Sequence, residues 1–415
     1  MKRNISFAFS GFLLSYITVR NEKKILNTNY VGLYILMVLK RYLRQVELLT
    51  VPAIPILLYL YLLPLFISGP QATDTMMREV KGCYKNWWTV LTHIVNFTPF
   101  EERCMSHFWY ISNDMQLFLA AAAIAIMMVR SVVWAGFLAL CLATLGPYAS
   151  GYITHRQFLF PGVTVAPHDI NRSIRTSDLV FIMPYSNAGP YFVGMIAGYM
   201  SAEWPNIKMH WLIQAFFWVG AVSTNLVLVF LPLLWNSAED ESYRLLQAFY
   251  AGGHQVIWGM AWSWIFYACC TGRAGLAVKV LSWEGFVIPA RLTFGAYLVH
   301  YLVFVARGAV TTTAFQLNEF LQVKDALGVA AISFFLSFLV HLQYEAPTNN
   351  LLKLGSDLLS QEYEKFRQKR AAKIHNKEGL VEDYVTEPTI VHFPDPTNSD
   401  LSLHLFARSR QASVD

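Results

Sequence analysis

The stretch DMQLFLAAAAIAIMMVRSVVWAGFLALCLATLGPYAS, residues 114–150, decides the fold. It holds two apolar runs, 114–129 and 131–150, separated by Arg130. Each is long enough, or nearly so, to cross about 30 Å of hydrocarbon as a helix. Neither alternates apolar and polar residues as the strand of a membrane barrel must, so a β-barrel is excluded. Working outward, comparable runs occur at 5–19, 51–68, 188–203, 211–234, 248–270, 289–310 and 325–343. The expectation is an all-α integral membrane protein, a bundle of about nine transmembrane helices. A tenth segment, 30–44, is apolar until it ends in KRYLR and reads as an amphipathic helix lying in the interface.

Composition agrees with that class. Of 415 residues, 55% are hydrophobic and 14% charged, well below the roughly 25% charged of a soluble domain. Residues 345–415 hold 20 of the 59 charged side chains, so the membrane body ends near 345 and a polar tail follows. The body is read as one domain, 1–345, and 346–415 as a cytoplasmic tail that is amphipathic and then disordered. The net charge of +5 is carried by residues beside apolar segments, not by a basic face, and nucleic-acid binding has no support.

Basic residues set the orientation. A cytoplasmic loop after the first helix gathers Arg20, Lys23, Lys24, Lys40, Arg41 and Arg44, and the KFRQKRAAK run at 365–373 falls on the same side. Loops 69–113 and 151–187 then face outward. Cys83 and Cys104 lie in the first, and the sequons at Asn96 and Asn171 fall one in each, as lumenal disulfides and glycans require. Cys141, Cys269 and Cys270 sit in apolar helices as packing thiols, which leaves Cys83 with Cys104 as the pair to bridge. Nine crossings with a cytoplasmic C-terminus place Met1 outside, against the preference of Lys2 and Arg3, so the count asks for one more helix upstream. A signal peptide is the other reading of MKRN before an apolar run, although no small-residue cleavage site follows it.

Ionisable groups inside membrane helices are functional candidates. His300 lies near the middle of its helix, and Thr293, Tyr297, His300 and Arg307 share one face. A desolvated, neutral imidazole there suits proton abstraction from an attacking hydroxyl; the other reading is a packing histidine bonded to a carbonyl. Trp109, Tyr110, Asn113, Asp114 and Gln116 crowd the outer start of a helix. Asp114 either orients a histidine or substrate hydroxyl, or caps its helix. In KRYLR, Lys40 or Arg41 with Arg44 suits the phosphates of a nucleotide-bearing donor, or simply anionic lipid head groups. His254, Gln255, His341, Gln343, Tyr344 and Glu345 are weaker candidates. The sequence carries no glycine-rich phosphate loop, metal-spaced Cys and His cluster or nucleophile elbow.

Six motifs in order, FSGFLLSY (9–16), RYLR (41–44), GCYKNWW (82–88), ERCMSHFWYISNDMQLF (102–118), GPYFVGMIAGY (189–199) and RLTFGAYLVH (291–300), resemble the nose-resistant-to-fluoxetine branch of the acyltransferase 3 superfamily. The resemblance covers roughly 5–350. It implies a membrane acyltransferase that moves an acyl group from acyl-CoA to a hydroxyl acceptor, with no bound cofactor or metal. In the animal branch it also implies lipid or drug uptake. Carried over by position, His300 and Asp114 take the catalytic places and Arg41 and Arg44 the donor-binding pair. Tyr110, Asn113, Gln116 and Tyr297, from the same two sequence clusters, are the substrate-binding candidates. Cys83 and Cys104 match cysteines of the branch.

The departures are as informative. Family members begin with a helix bearing Leu-Asp-Gly-Leu-Arg and, some ten residues on, the histidine regarded as principal base; this chain starts after it, and also after the branch's extracellular N-terminal domain. Asn187 and Gln255 stand where the family tends to have arginine, and QVELL interrupts the usual Leu-Thr-Pro after RYLR. Without the principal base, a lipid or small-molecule carrier that keeps the cavity is the rival to the enzyme. A truncated fragment of a family member explains the departures equally, and a tail that recruits cytosolic partners is a third reading.

Overall fold

The computed structural model describes residues 2–26, 28–46, 51–66, 72–162, 169–234, 244–312, 319–348 and part of 350–365. Among these residues there are helices and no strands. The long helices are α1 (Lys2–Arg20), α2 (Tyr30–Gln45), α3 (Val51–Phe66), α4 (Ala72–Asn86), α5 (Trp109–Arg130), α6 (Val132–Arg156), α7 (Pro184–Glu203), α8 (Trp211–Phe230), α9 (Arg244–Cys270), α10 (Val287–Val310) and α11 (Glu319–Val340). They fall into two compact units, one built from 1–43 and 77–284, the other from 44–76 and 285–392.

In the first unit, α1 and α7 meet backbone to backbone. A Cβ on Gly194 would stand 2.0 Å from the Ala8 carbonyl oxygen, one on Gly198 2.2 Å from that of Phe12, and one on Gly11 2.0 Å from that of Tyr191. Only glycine permits this approach, and Ser15 Oγ secures it by donating to the Met195 carbonyl at 2.6 Å. Ala135, Ala139 and Ala143, spaced by one turn on α6, join Phe7, Leu117, Ala121, Ala125, Tyr191, Phe192 and Met195 in one core. On α9, Gly259 admits Pro190 of α7 and Gly252 admits the Pro147 carbonyl of α6. Helix α8 is joined to α9 by Trp262 Nε1, which donates to Asn225 at 3.1 Å, and by Phe217 stacked on Trp264.

The segment expected to lie flat in the interface does not. Helix α2 runs antiparallel along α5: Arg130 stands over the Tyr30 ring, Tyr34 Oη donates to the Leu119 carbonyl, and Arg41 reaches Asp114. Leu33 and Met37 are buried against Phe118, Ala122 and Ile126. Sixteen residues rise about 24 Å, so α2 spans much of the bundle's depth. Its apolar face finds a protein partner, which outcompetes the interface. Arg41 therefore stands at the far end of α2 from Arg20 and Lys23, and the expected collection of these cations on one side is corrected.

Five helices are long and apolar enough to cross a membrane, Ser106–Arg130, Val132–Arg156, Trp211–Phe230, Glu284–Val310 and Phe320–Thr348, and Arg244–Cys270 with Gly275–Leu281 makes a sixth if that pair, bent by 92°, is one span. The expected figure of nine is not reached among the described residues. Helices form at the other expected places, but α3 has only 16 residues, and α1 and α7 carry polar residues that face protein instead of lipid.

In the second unit, α10 and α11 pair closely where Gly295 faces Ser337, whose Oγ donates to the Leu292 carbonyl at 2.7 Å. Arg307 and Asp325 form an ion pair near the other end. Met76 packs on Val305 and Ala309. What was expected of the tail beyond residue 365 lies outside the described residues.

Candidate active site beneath the disulfide loop

A hydrophilic knot sits where α1, α2 and α5 meet. Asp114 is five residues past the start of α5, one carboxylate oxygen 2.5 Å from Arg41 Nη2 and the other 3.0 Å from Ser10 Oγ. Arg41 Nη2 also donates to Ser10 Oγ at 3.0 Å, closing a triangle, and its guanidinium lies over the Phe118 ring. The carboxylate thus bonds across helices and does not cap its own. Asp114 is buried to 8% exposure, so its ionised form depends on this partner. The pair also commits Arg41: its charge is neutralised, and it does not stand as an uncommitted phosphate ligand.

One turn away, amides interlock. Asn96 Nδ2 donates to Asn113 Oδ1 (2.9 Å) and Gln116 Oε1 (3.1 Å). Gln116 Nε2 returns bonds to Asn96 Oδ1 (2.9 Å) and to the His93 carbonyl (2.8 Å). Asn113 Nδ2 donates to the Ile182 carbonyl at 2.7 Å. This network bears on the sequon at Asn96. Asn96 is 1% exposed and its amide nitrogen, the atom a glycan takes, is doubly bonded, so the folded protein has no room for sugar there. Asn171 is exposed on the short helix Ile170–Thr176.

The loop above the knot is braced. Cys83 and Cys104 are disulfide-bonded, closing a loop worth roughly 3 kcal/mol by chain entropy. Arg103, almost fully buried, pairs with Asp178 at 2.8 Å and donates to the Thr98 carbonyl. In the same loop His93 is in the left-handed region (φ 56°), a conformation uncommon for a residue with a Cβ and frequent at functional sites. His93 is buried, meets the Tyr42 ring edge-on, and lies within electrostatic reach of Asp114. Burial pushes its pKa below the usual histidine value, so the ring is neutral at pH 7. Nothing in the sequence singled it out, because it stands in a loop where helical spacing carries no information.

Of the other expected residues, Tyr110 joins the knot one turn before Asp114, hydrogen-bonded to Ser6 and packed on Phe7. Arg44, Tyr297 and His300 belong to the second unit. Arg44 is exposed. His300 Nδ1 donates to the Tyr297 carbonyl of its own helix, the packing arrangement that was its other reading. Besides His93, two further residues were not among the candidates for the site. Ser10 hid within FSGFLLSY, and Arg3 projects from α1 to donate to the Phe181 carbonyl (3.1 Å), the same oxygen that Asn187 approaches. Among the described residues no group of three His, Cys, Asp or Glu side chains converges as metal ligands would.

Comparison with known proteins follows the same line. A family model described as an acyltransferase domain matches residues 7–342. Nose resistant to fluoxetine protein 6 of Caenorhabditis elegans is 25% identical over 326 residues, covering 75% of this chain and 39% of that relative. The chain thus spans about two-fifths of the length of the relative it matches. No solved structure matches.

Proposed function

Because the chain belongs to the acyltransferase 3 family, and several of its helices are built to cross a membrane, we propose that it is a multi-pass membrane acyltransferase working in the Asp114 knot. The observation that carries this reading is a buried, neutral His93 held in a strained loop beside a carboxylate fixed by Arg41 and Ser10. In the reaction, the hydroxyl oxygen of the acceptor attacks the thioester carbonyl carbon of acyl-CoA while His93 takes its proton. The C–S bond then breaks, and the departing thiolate takes that proton. Asp114 favours the imidazolium that forms in between, as a carboxylate near a catalytic histidine does. Arg44, exposed, is a candidate for donor phosphates on its own. The basic run at 365–373 keeps the cytoplasmic assignment for the C-terminus.

A carrier that binds lipids or small molecules without chemistry is the second reading. It is favoured by the same ion pair, because a fully neutralised Asp114 also describes a structural lock. The test is direct: the purified chain in lipid nanodiscs is given radiolabelled long-chain acyl-CoA and hydroxylated lipids, and free thiol and acylated product are measured. Turnover that falls about 10²-fold or more in His93→Ala and stays near wild type in His300→Ala supports the enzyme and this assignment. Turnover indifferent to His93 removes the assignment, and no thiol release from wild type leaves the carrier.

A further inference from the structure

A second polar site lies on α1, α7 and α9, apart from the Asp114 knot. Arg3 stands between the Phe181 ring (3.7 Å) and the Trp109 ring (5.6 Å). Its Nε donates to Asn4 Oδ1 at 3.3 Å and its Nη1 to the Phe181 carbonyl. With the Gln255 amide oriented to satisfy both its atoms, Nη2 donates to Gln255 Oε1 at 3.1 Å, while Gln255 Nε2 donates to the Ser186 carbonyl. Every one of these partners is neutral, and among the described residues no carboxylate pairs with Arg3. A guanidinium has five N–H donors, and three are accounted for here. The site thus keeps an uncompensated positive charge and spare donors among apolar walls, an arrangement that favours an anionic ligand.

His254 supplies the opposite character. Its Nδ1 lies 2.6 Å from the Tyr250 carbonyl, and a carbonyl only accepts, so Nδ1 carries the hydrogen. In the neutral ring Nε2 then holds a lone pair, and it has no hydrogen-bond partner among the described residues. The ring is fixed by stacking on Tyr250 at 4.6 Å. Arg3 is within electrostatic reach. One turn on, Trp258 shares this face, with its indole N–H buried and unpartnered. Arg3 and His254 are both part-exposed, so a ligand can reach them.

A cation with spare donors beside a fixed lone pair complements a ligand that offers an anionic oxygen and, close by, an O–H donor on an apolar body. We infer that this site binds a lysophospholipid-type amphiphile, its phosphate at Arg3 and its free glycerol hydroxyl donating to His254 Nε2. The inference requires no acyl transfer and goes beyond that reading; it stands for an enzyme and for a carrier alike.

The test uses the full chain in nanodiscs of uncharged lipid, with tryptophan fluorescence following titration by four probes. Oleoyl lysophosphatidic acid offers phosphate and hydroxyl, phosphatidic acid only phosphate, monoolein only hydroxyls, and inorganic phosphate no tail. Wild type should prefer the first by about tenfold or more over each of the others. Arg3→Gln should lose that binding while Arg3→Lys keeps part of it. His254→Phe, which preserves stacking on Tyr250, should level lysophosphatidic and phosphatidic acid. Arg175→Gln, which removes an exposed arginine bonded to Gln157, should leave the preference unchanged, so that loss in Arg3→Gln is not a general effect of removing positive charge. Equal affinity of wild type for the two acids, binding untouched by Arg3→Gln, or inorganic phosphate competing as well as the lipid would each overturn the inference.

Discussion

The hydrophilic groups of the Asp114 knot and those along α10 look alike in sequence and behave differently in the folded chain. On α10, Thr293 donates to the Pro289 carbonyl and His300 to that of Tyr297, bonds that stay within the helix. Arg307, at the last turn, reaches another helix through Asp325. In the knot, Asp114 binds α1 and α2, Asn113 binds the Ile182 turn, and Gln116 binds the 93–96 loop. A polar stripe on one helix is therefore weak guidance to a site. Polar groups that exchange bonds between elements fix the relative positions of those elements, and such positioning is what chemistry needs.

The contrast predicts a graded series of effects. The largest belongs to Asp114→Ala, which strands the Arg41 charge in a half-buried setting and should cost about 3–5 kcal/mol in chemical unfolding in detergent. Arg41→Ala should act similarly, and the double variant should recover part of the loss, since no lone charge remains. Next, Gly194→Ala should cost about 1–3 kcal/mol, because its Cβ meets the Ala8 carbonyl and the α1–α7 contact must open. A smaller effect concerns pH. His93 has a folded pKa below its unfolded value near 6.5, so the unfolded chain binds the extra proton first. Stability is full above that value and declines as pH falls below it toward the folded pKa. His93→Gln should flatten the pH profile of Tm over that window. Smallest of all, His300→Ala should change stability by less than about 1.5 kcal/mol, since the carbonyl bond it loses lies within its own helix. If it proves as damaging as Asp114→Ala, the contrast between the two regions is wrong.

The knot was partly legible. Asp114, Asn113, Gln116 and Tyr110 drew notice because so many polar residues at one helix start are unusual, and Arg41 drew notice for its place in KRYLR. Their pairing was not legible: Arg41 was read as a phosphate ligand on the opposite side of the membrane from Asp114, and the two are joined. The cause is α2. Its charged end suggested an interface helix, and nothing local to the segment reveals that Leu33 and Met37 have a matching face on α5. Asn96 shows the same limit from another direction, since its sequon is a local motif and its burial is a property of the whole loop.

From the amino-acid chain alone come the all-helical class, the membrane body, the places where most helices form and the Cys83–Cys104 pair. These follow from hydrophobicity, backbone satisfaction and compartment chemistry, which act within a few turns of chain. The partner of Asp114, the lengthwise course of α2, the strain at His93 and the site around Arg3 and His254 come from packing. Each depends on which surfaces meet across tens or hundreds of residues, and that choice is made by the fit of whole helices, glycine against carbonyl and cation against carboxylate.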